Sequence, residues 1–235
     1  MLAMLHRLFG HPPSLQGERI VLVAPVQADY EAWAILRGES RDTLTPFEPA
    51  WSEDELSRPS FQRRLRRYRR ERRLGCGAAF FIKRRSDRVL LGGLALTNIR
   101  GGVTQSGSIG YWLGRCHVGK GYATDAVRLA VGQAFDVWGL HRVEAACLPN
   151  NTPSIRVLER CGFQREGLAR GYLRIDGAFR DHLLFARLAD DPQVACGRRD
   201  TVTAEASLRA QSHDDRVHES AAGLRDGPVA GGGFA

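Results

Sequence analysis

The sequence lacks paired cysteines. Five occur in 235 residues, Cys76, Cys116, Cys147, Cys161 and Cys196. The set is odd and scattered, with no CxxC unit and no Cys/His spacing of the kind that holds zinc. No disulfide framework and no metal site are expected, and reduced thiols fit a cytoplasmic protein. Long apolar runs are also missing. Nothing approaches the roughly 20 residues that span a bilayer, and Met1 to Phe9, interrupted by His6 and Arg7, is too short for a secretory core. The expectation is a soluble protein with no membrane partner. There are no internal repeats, and no GxGxxG run marks a dinucleotide fold.

What is present is enough apolar content, 43%, for one sizeable core with extensions; two full domains would be a tight fit. Lys and Arg number 34 against 26 Asp and Glu, a formal charge of +8, which biases the surface toward anionic partners. Residues 1–16 read as an N-terminal extension and 17–190 as one domain. Segment 191–235, with almost no large apolar side chains, is expected to be disordered because it cannot bury enough surface to offset its ordering entropy.

Within the domain, Arg19 to Ala24 (RIVLVA) reads as a first strand and Asp29 to Arg37 as a helix. Ser52 to Glu55 (SEDE) resembles a capped start to a long Arg-rich helix. Ala78–Lys83, Val89–Ile99 and Ser108–Leu113 read as an antiparallel meander separated by turn-rich segments. Then follow a Gly-bearing loop, a helix over about Tyr122–Trp138, a strand Arg142–Cys147, a helix over about Thr152–Arg160, and closing strands near Ala169–Ile175 and Phe179–Arg187.

The loop Gly119-Lys-Gly121 between a strand and a helix is the most informative stretch. Glycine lets backbone approach a ligand closely, and a helix N-terminus offers unpaired N–H groups to a phosphate. Gly114 to Lys120 matches the first seven positions of GxxxxGK[ST]. Gly121 then fails to supply the hydroxyl that would hold Mg²⁺, so a nucleotide hydrolase is disfavoured. A tight strand-to-helix connection is the plainer alternative.

Gly119-Lys-Gly-Tyr-Ala123, with Asn151-Thr-Pro-Ser154, Cys161-Gly-Phe163, Glu166-Gly167 and the closing Tyr172 to His182, resembles the GNAT acetyltransferases. Within them it is similar to the RimJ/RimL-type ribosomal-protein N-terminal acetyltransferases. The resemblance covers roughly Gly17 to Asp190. It implies an α+β fold: a twisted, mixed, mostly antiparallel sheet flanked by helices, splayed after the fourth strand. It implies acetyl-CoA as co-substrate, transfer directly within a ternary complex, and a protein N-terminal amine as acceptor, with ribosomal proteins among the candidates. Backbone at Trp112 and Leu113 would pair with the pantetheine arm. Amides of Val118, Gly119, Lys120, Gly121, Tyr122 and Ala123 would hold the pyrophosphate, and Asn151 and Ser154 would lie near the arm and its sulfur. The family often has Gln or Arg three residues before the first glycine, where this chain has Cys116.

Acetyl transfer needs a neutral amine, a route for its proton, and support for the oxyanion and departing thiolate. With a reference pKa near 7.7–8.0, an N-terminal amine loses its proton at pH 7 for about 1 kcal/mol, against about 4 to 5 for lysine. A distant carboxylate acting through water would suffice. Some GNAT relatives carry a glutamate where this chain has Ala146 and a tyrosine where it has Leu158, and neither of these can titrate. The resemblance leaves Glu166 as base, directly or through water, and Ser154 as the hydroxyl serving the thiolate. The alternatives are a solvated carboxylate at a strand start and a helix-capping serine. His141 and His182 are more often structural at such strand edges. Phe47-Glu48-Pro49 resembles the family's acceptor-lining segment, where Glu48 would attract an ammonium and Phe47 would wall the pocket, with a Pro-constrained surface loop as the plainer alternative; the resemblance implies Tyr172 as a further substrate contact.

Phe61 to Leu74 carries apolar residues at helical spacing and arginine almost everywhere else. This Arg63–Arg73 helix is either a solvated face or a contact for RNA, the ribosome or an acidic substrate segment. Two rivals stay open: the same fold acetylating a small-molecule amine, and a basic RNA-associated module without catalysis. Monomer and homodimer are equally compatible with the sequence.

Overall fold

The computed structural model describes residues 14–192. The remaining parts of the segments read as an N-terminal extension and a disordered tail, 1–13 and 193–235, lie outside the described residues. Chain order is β1 (Ser14–Gln16), β2 (Ile20–Val23), α1 (Tyr30–Glu39), α2 (Arg41–Leu44), α3 (Arg58–Arg73), β3 (Ala78–Arg84), β4 (Leu90–Arg100), β5 (Ser106–Leu113), α4 (Tyr122–Gly132), β6 (Arg142–Cys147), α5 (Thr152–Arg160), β7 (Gln164–Ile175) and β8 (Ala178–Leu188). The eight strands form one sheet in the order β1-β2-β3-β4-β5-β6-β8-β7. All neighbours are antiparallel except β5 and β6.

Strands β3 and β4 read as continuous apolar runs rather than alternating ones because both faces are covered. One face carries α4 and α5. Ala123, Ala126, Val127, Ala130 and Val131 recur at helical spacing, and all but Ala123 pack with Phe80, Leu94 and Leu96 of the meander in the main core. The other face carries α1 and α3, whose Trp33, Leu36, Phe61 and Leu65 meet Phe81, Leu90 and Trp112. Close approach of β4 to β5 requires glycine: a Cβ on Gly92 would lie 2.1 Å from the Trp112 carbonyl oxygen.

Four expectations change. The sheet has an eighth strand, because Ser14–Gln16 pairs with β2; the splay follows the expected strand, Ser106–Leu113, which is fifth once β1 is counted. Helix α3 begins at Arg58, capped by Ser57, whose side chain accepts from the Ser60 amide with Pro59 in the first turn; Ser52 instead bonds Asp54. The helix over Tyr122–Trp138 ends regular α geometry at Gly132 and finishes as a wide π turn, Gln133–Val137. Strand β7 starts at Gln164, five residues before the expected position, with two register irregularities.

Candidate functional site

Strand β5 pairs with β4 along its length as far as Leu113, but its pairing with β6 runs only from Ser106↔Arg142 to Ser108↔Glu144. Ala145, Ala146 and Cys147 pair with β8 on their other side. From Ile109 to Leu113 the edge of β5 facing β6 therefore has no ladder partner among the described residues. Unpaired backbone donors and acceptors at a sheet edge invite an extended ligand to add as a strand. Trp112 and Leu113 lie at the open end of this stretch, with the Trp112 side chain buried.

Beyond Leu113 the chain turns into α4 through Gly119 (φ 73°) and Gly121 (φ 82°), the latter at the helix N-cap. Both angles are left-handed, where only glycine is unstrained. The loop is held from outside by Arg19. Its guanidinium donates to Asp125 Oδ2 (2.8 Å) and the Lys120 carbonyl (3.1 Å) and stands over the Tyr122 ring. Lys120 curls back to donate to the Cys116 carbonyl at 2.8 Å. Val118 is exposed, and a Cβ on Gly119 would meet nothing within 4 Å. An eleven-residue helix with a glycine N-cap, opening on free space, fits a diphosphate through its amides and dipole. Arg19 escaped the sequence reading because it lies 106 residues from Asp125.

Across the splay, α5 is capped by Asn151, whose Oδ1 accepts from the Ser154 amide at 3.2 Å, with Pro153 in its first turn. The Ser154 hydroxyl lies 3.0 Å from the Tyr111 phenol, which also donates to the Ser154 carbonyl at 3.3 Å. Tyr111 thus ties β5 to α5 beside the open edge. Burial drives its pKa well above the ordinary phenol value, so it stays a neutral donor. Burial also pushes the Cys147 thiol up to about 11, with a contact to Ser154 opposing it. Tyr111 was missed because nothing in sequence distinguishes it from a core aromatic.

At the start of β6, opposite Ser106, Arg142 holds two carboxylates. It donates from Nε to Glu144 (2.8 Å) and from NH1 to Glu166 (2.8 Å), and NH2 closes a bidentate pair with Glu166. Hydrogen bonding to Arg142 lowers the Glu166 pKa below its ordinary value. Glu166 occupies a register irregularity between Arg165 and Gly167, which separates it from regular strand alternation. Glu144 lies opposite Ser108, the last paired residue of β5. Burial alternates along β6, with Val143, Ala145 and Cys147 in the core. Arg142, Glu144 and Ala146 therefore share the opposite face, and that alternation is the signal that could have found Glu144.

On the same side of the sheet as Trp112, the loop after α2 is fixed by a buried ion network. Arg37, 2% exposed, donates to both oxygens of Glu48 at 3.1 and 2.6 Å and lies 3.6 Å from Glu55, which Arg64 also binds. Trp51 Nε1 donates to Glu48 at 2.9 Å, and the Arg37 guanidinium stands over the rings of Trp33, Trp51 and Trp112. This corrects the expectation that Glu48 stands open to an incoming ammonium, since both oxygens are taken and the residue is buried. The Glu48 carbonyl accepts from the Asp176 amide at 3.0 Å, tying the loop to the β7–β8 turn. Phe47 and Tyr172 remain exposed. Tyr172 meets His182 edge-on at 5.8 Å. His182 is buried against the Arg180 carbonyl, and burial lowers its pKa. His141 is exposed at the start of β6.

A family model described as "Acetyltransferase (GNAT) domain" matches residues 19–164. A Bacillus subtilis protein named "Probable N-acetyltransferase YjcK" is 36% identical over 179 residues, 76% of this chain and 99% of that one. The ribosomal protein uS5-alanine N-acetyltransferase of Escherichia coli is 29% identical over 189 residues, 78% of this chain and 97% of its own. The structure of Mycobacterium smegmatis RimJ in complex with CoA-disulfide superposes with a TM-score of 0.73 at 34% identity, covering 77% of this chain and 90% of that one.

Proposed function

The chain belongs to the GNAT acetyltransferase family, and from that premise we propose that it carries the acetyl group of acetyl-CoA to the N-terminal α-amine of a protein, in the first instance a ribosomal protein, in the cytoplasm. The observation that carries the reading is the free edge of β5 from Ile109 to Leu113, running into the glycine-shaped N-terminus of α4. The acceptor class rests on the similarity to the uS5-alanine enzyme and to RimJ.

When bound, acetyl-CoA supplies an activated acetyl carbonyl: the amine nitrogen bonds to it, the C–S bond breaks, and the amine proton and the thiolate remain to be managed. Backbone at Trp112 and Leu113 would hold the pantetheine arm, and the amides of 118–123 the pyrophosphate. Ser154, fixed by Tyr111, offers a hydroxyl to the leaving sulfur. Glu166, or Glu144 beside it, receives the amine proton through water. Glu166 on its own is a weak base because Arg142 lowers its pKa, which suits an acceptor amine that already ionises near neutrality and not a lysine. Phe47 and Tyr172 would wall the acceptor. The neutral Cys147 and Cys161 thiols, both pushed up to about 11, make poor acyl carriers, which favours direct transfer in a ternary complex.

The test is calorimetric titration with acetyl-CoA, then thiol release against peptides beginning with Ala, Ser or Met and against free lysine and a polyamine. Saturable binding with release on the peptides alone is expected. Release on the small amines alone would move the acceptor to that class, and no acetyl-CoA binding would overturn the reading.

A further inference from the structure

Helix α3 carries nine arginines, and the structure divides them. Arg58, Arg63, Arg64 and Arg67 pair with Glu31, Asp54, Glu55 and Glu71. Arg66, Arg69, Arg70, Arg72 and Arg73 have no carboxylate partner among the described residues. The uncompensated charge is thus gathered in the C-terminal half of one helix. At about 100° per residue, Arg66, Arg69, Arg70 and Arg73 fall within one arc of about 100° and form a continuous exposed stripe. Phe61, Leu65, Tyr68 and Arg72 form the neighbouring stripe that faces the sheet. Where that stripe reaches the end of β2, a cavity opens, floored by Pro25, Val26, Tyr68 and Ala79 and edged by Arg69 and Arg72.

A row of guanidiniums binds phosphates in planar, two-point fashion, and a cavity lined by Pro25, Val26, Tyr68 and Ala79 beside such a row takes a ring that the same ligand must carry. An acidic peptide supplies the charge but no obligatory ring, and a phosphate polymer alone supplies no ring at all. We propose that this face docks single-stranded RNA, with phosphates on Arg66, Arg69, Arg70 and Arg73 and one base in the slot between Tyr68, Pro25 and Val26. The site lies outside the β5 edge and the α4 loop and does not depend on the acetylation reading.

Fluorescence anisotropy with a labelled 12-nucleotide oligouridylate tests it, with inorganic polyphosphate and polyglutamate of equal charge as competitors and circular dichroism as the control for folding. The RNA is expected to bind more tightly than either competitor. Replacing Arg66, Arg69, Arg70 and Arg73 together by Gln should weaken it at least tenfold and reduce the slope of log K against log salt by about 3, since each single-strand phosphate contact contributes about 0.7. Tyr68→Leu, which keeps the buried apolar contact, should weaken RNA several-fold while leaving polyphosphate unchanged. Equal affinity for polyphosphate or polyglutamate would overturn the base slot, and RNA binding unmoved by the fourfold variant would overturn the site. If that variant fails to fold, the pairs Arg66→Gln/Arg70→Gln and Arg69→Gln/Arg73→Gln carry the same test.

Discussion

Arg142 holds Glu144 and Glu166 on one guanidinium, so removing the arginine perturbs both carboxylates at once. Glu166 has a lowered pKa in the folded chain. Its stabilising contribution is therefore present above the unfolded carboxylate pKa and lost as pH falls through the folded value, and exposure keeps it small. Arg142→Gln raises the Glu166 pKa, so the acidic limb of the kcat/KM profile should move to higher pH, while Glu166→Gln should lower kcat with KM for acetyl-CoA unchanged. A profile unmoved by Arg142→Gln would separate the arginine from the proton route. Arg37 gives a second prediction. Arg37→Met leaves Glu48 and Glu55 buried beside a single remaining arginine, and a loss of about 3–5 kcal/mol is expected in denaturant titration. Lys should not restore it, because one ammonium cannot reproduce the two-point contact with Glu48. A loss below about 1 kcal/mol would show that the network is not what fixes the loop.

Among elements, the junction of β5 and α4 concentrates the demands on backbone shape. Gly121 combines a φ of 82° with Arg19 NH2 2.9 Å from where a Cβ would sit. Gly121→Ala strains the N-cap and displaces the side chain that shapes the loop. Acetyl-CoA affinity should fall at least tenfold by calorimetry, with the circular dichroism spectrum retained; undiminished affinity would argue against the loop as the pyrophosphate site. The existence and type of the main elements follow from their apolar periods. The boundaries that shifted did so for local reasons: Pro59 and Ser57 set the start of α3, and the early part of β7 is largely exposed and reads as loop because its partner β8 comes later in the chain.

At the scale of the molecule, a ligand that binds only the folded chain stabilises it by mass action. At one hundred times Kd the gain is about 2.7 kcal/mol, which for a domain of this size should raise Tm by about 5–10 °C. A melting temperature indifferent to acetyl-CoA would contradict binding at the free β5 edge. Among the described residues no helix is long and apolar enough to cross a membrane.

The glycine loop, the N-terminal signal of α5 and the meander were decided by sequence alone, because each rests on local backbone preference: positive φ at Gly119 and Gly121, an Asn cap followed by Pro153, and strands apolar on both faces. The family resemblance follows from the same short stretches. Only the tertiary structure decided which charges are spent on each other. Sequence places Glu48 and Glu166 in motifs, but Arg37 and Arg142 reach them from 11 and 24 residues away, and Tyr111 becomes a candidate only once α5 lies across the gap from β5. Pairing between distant side chains depends on register and packing, which no local pattern encodes.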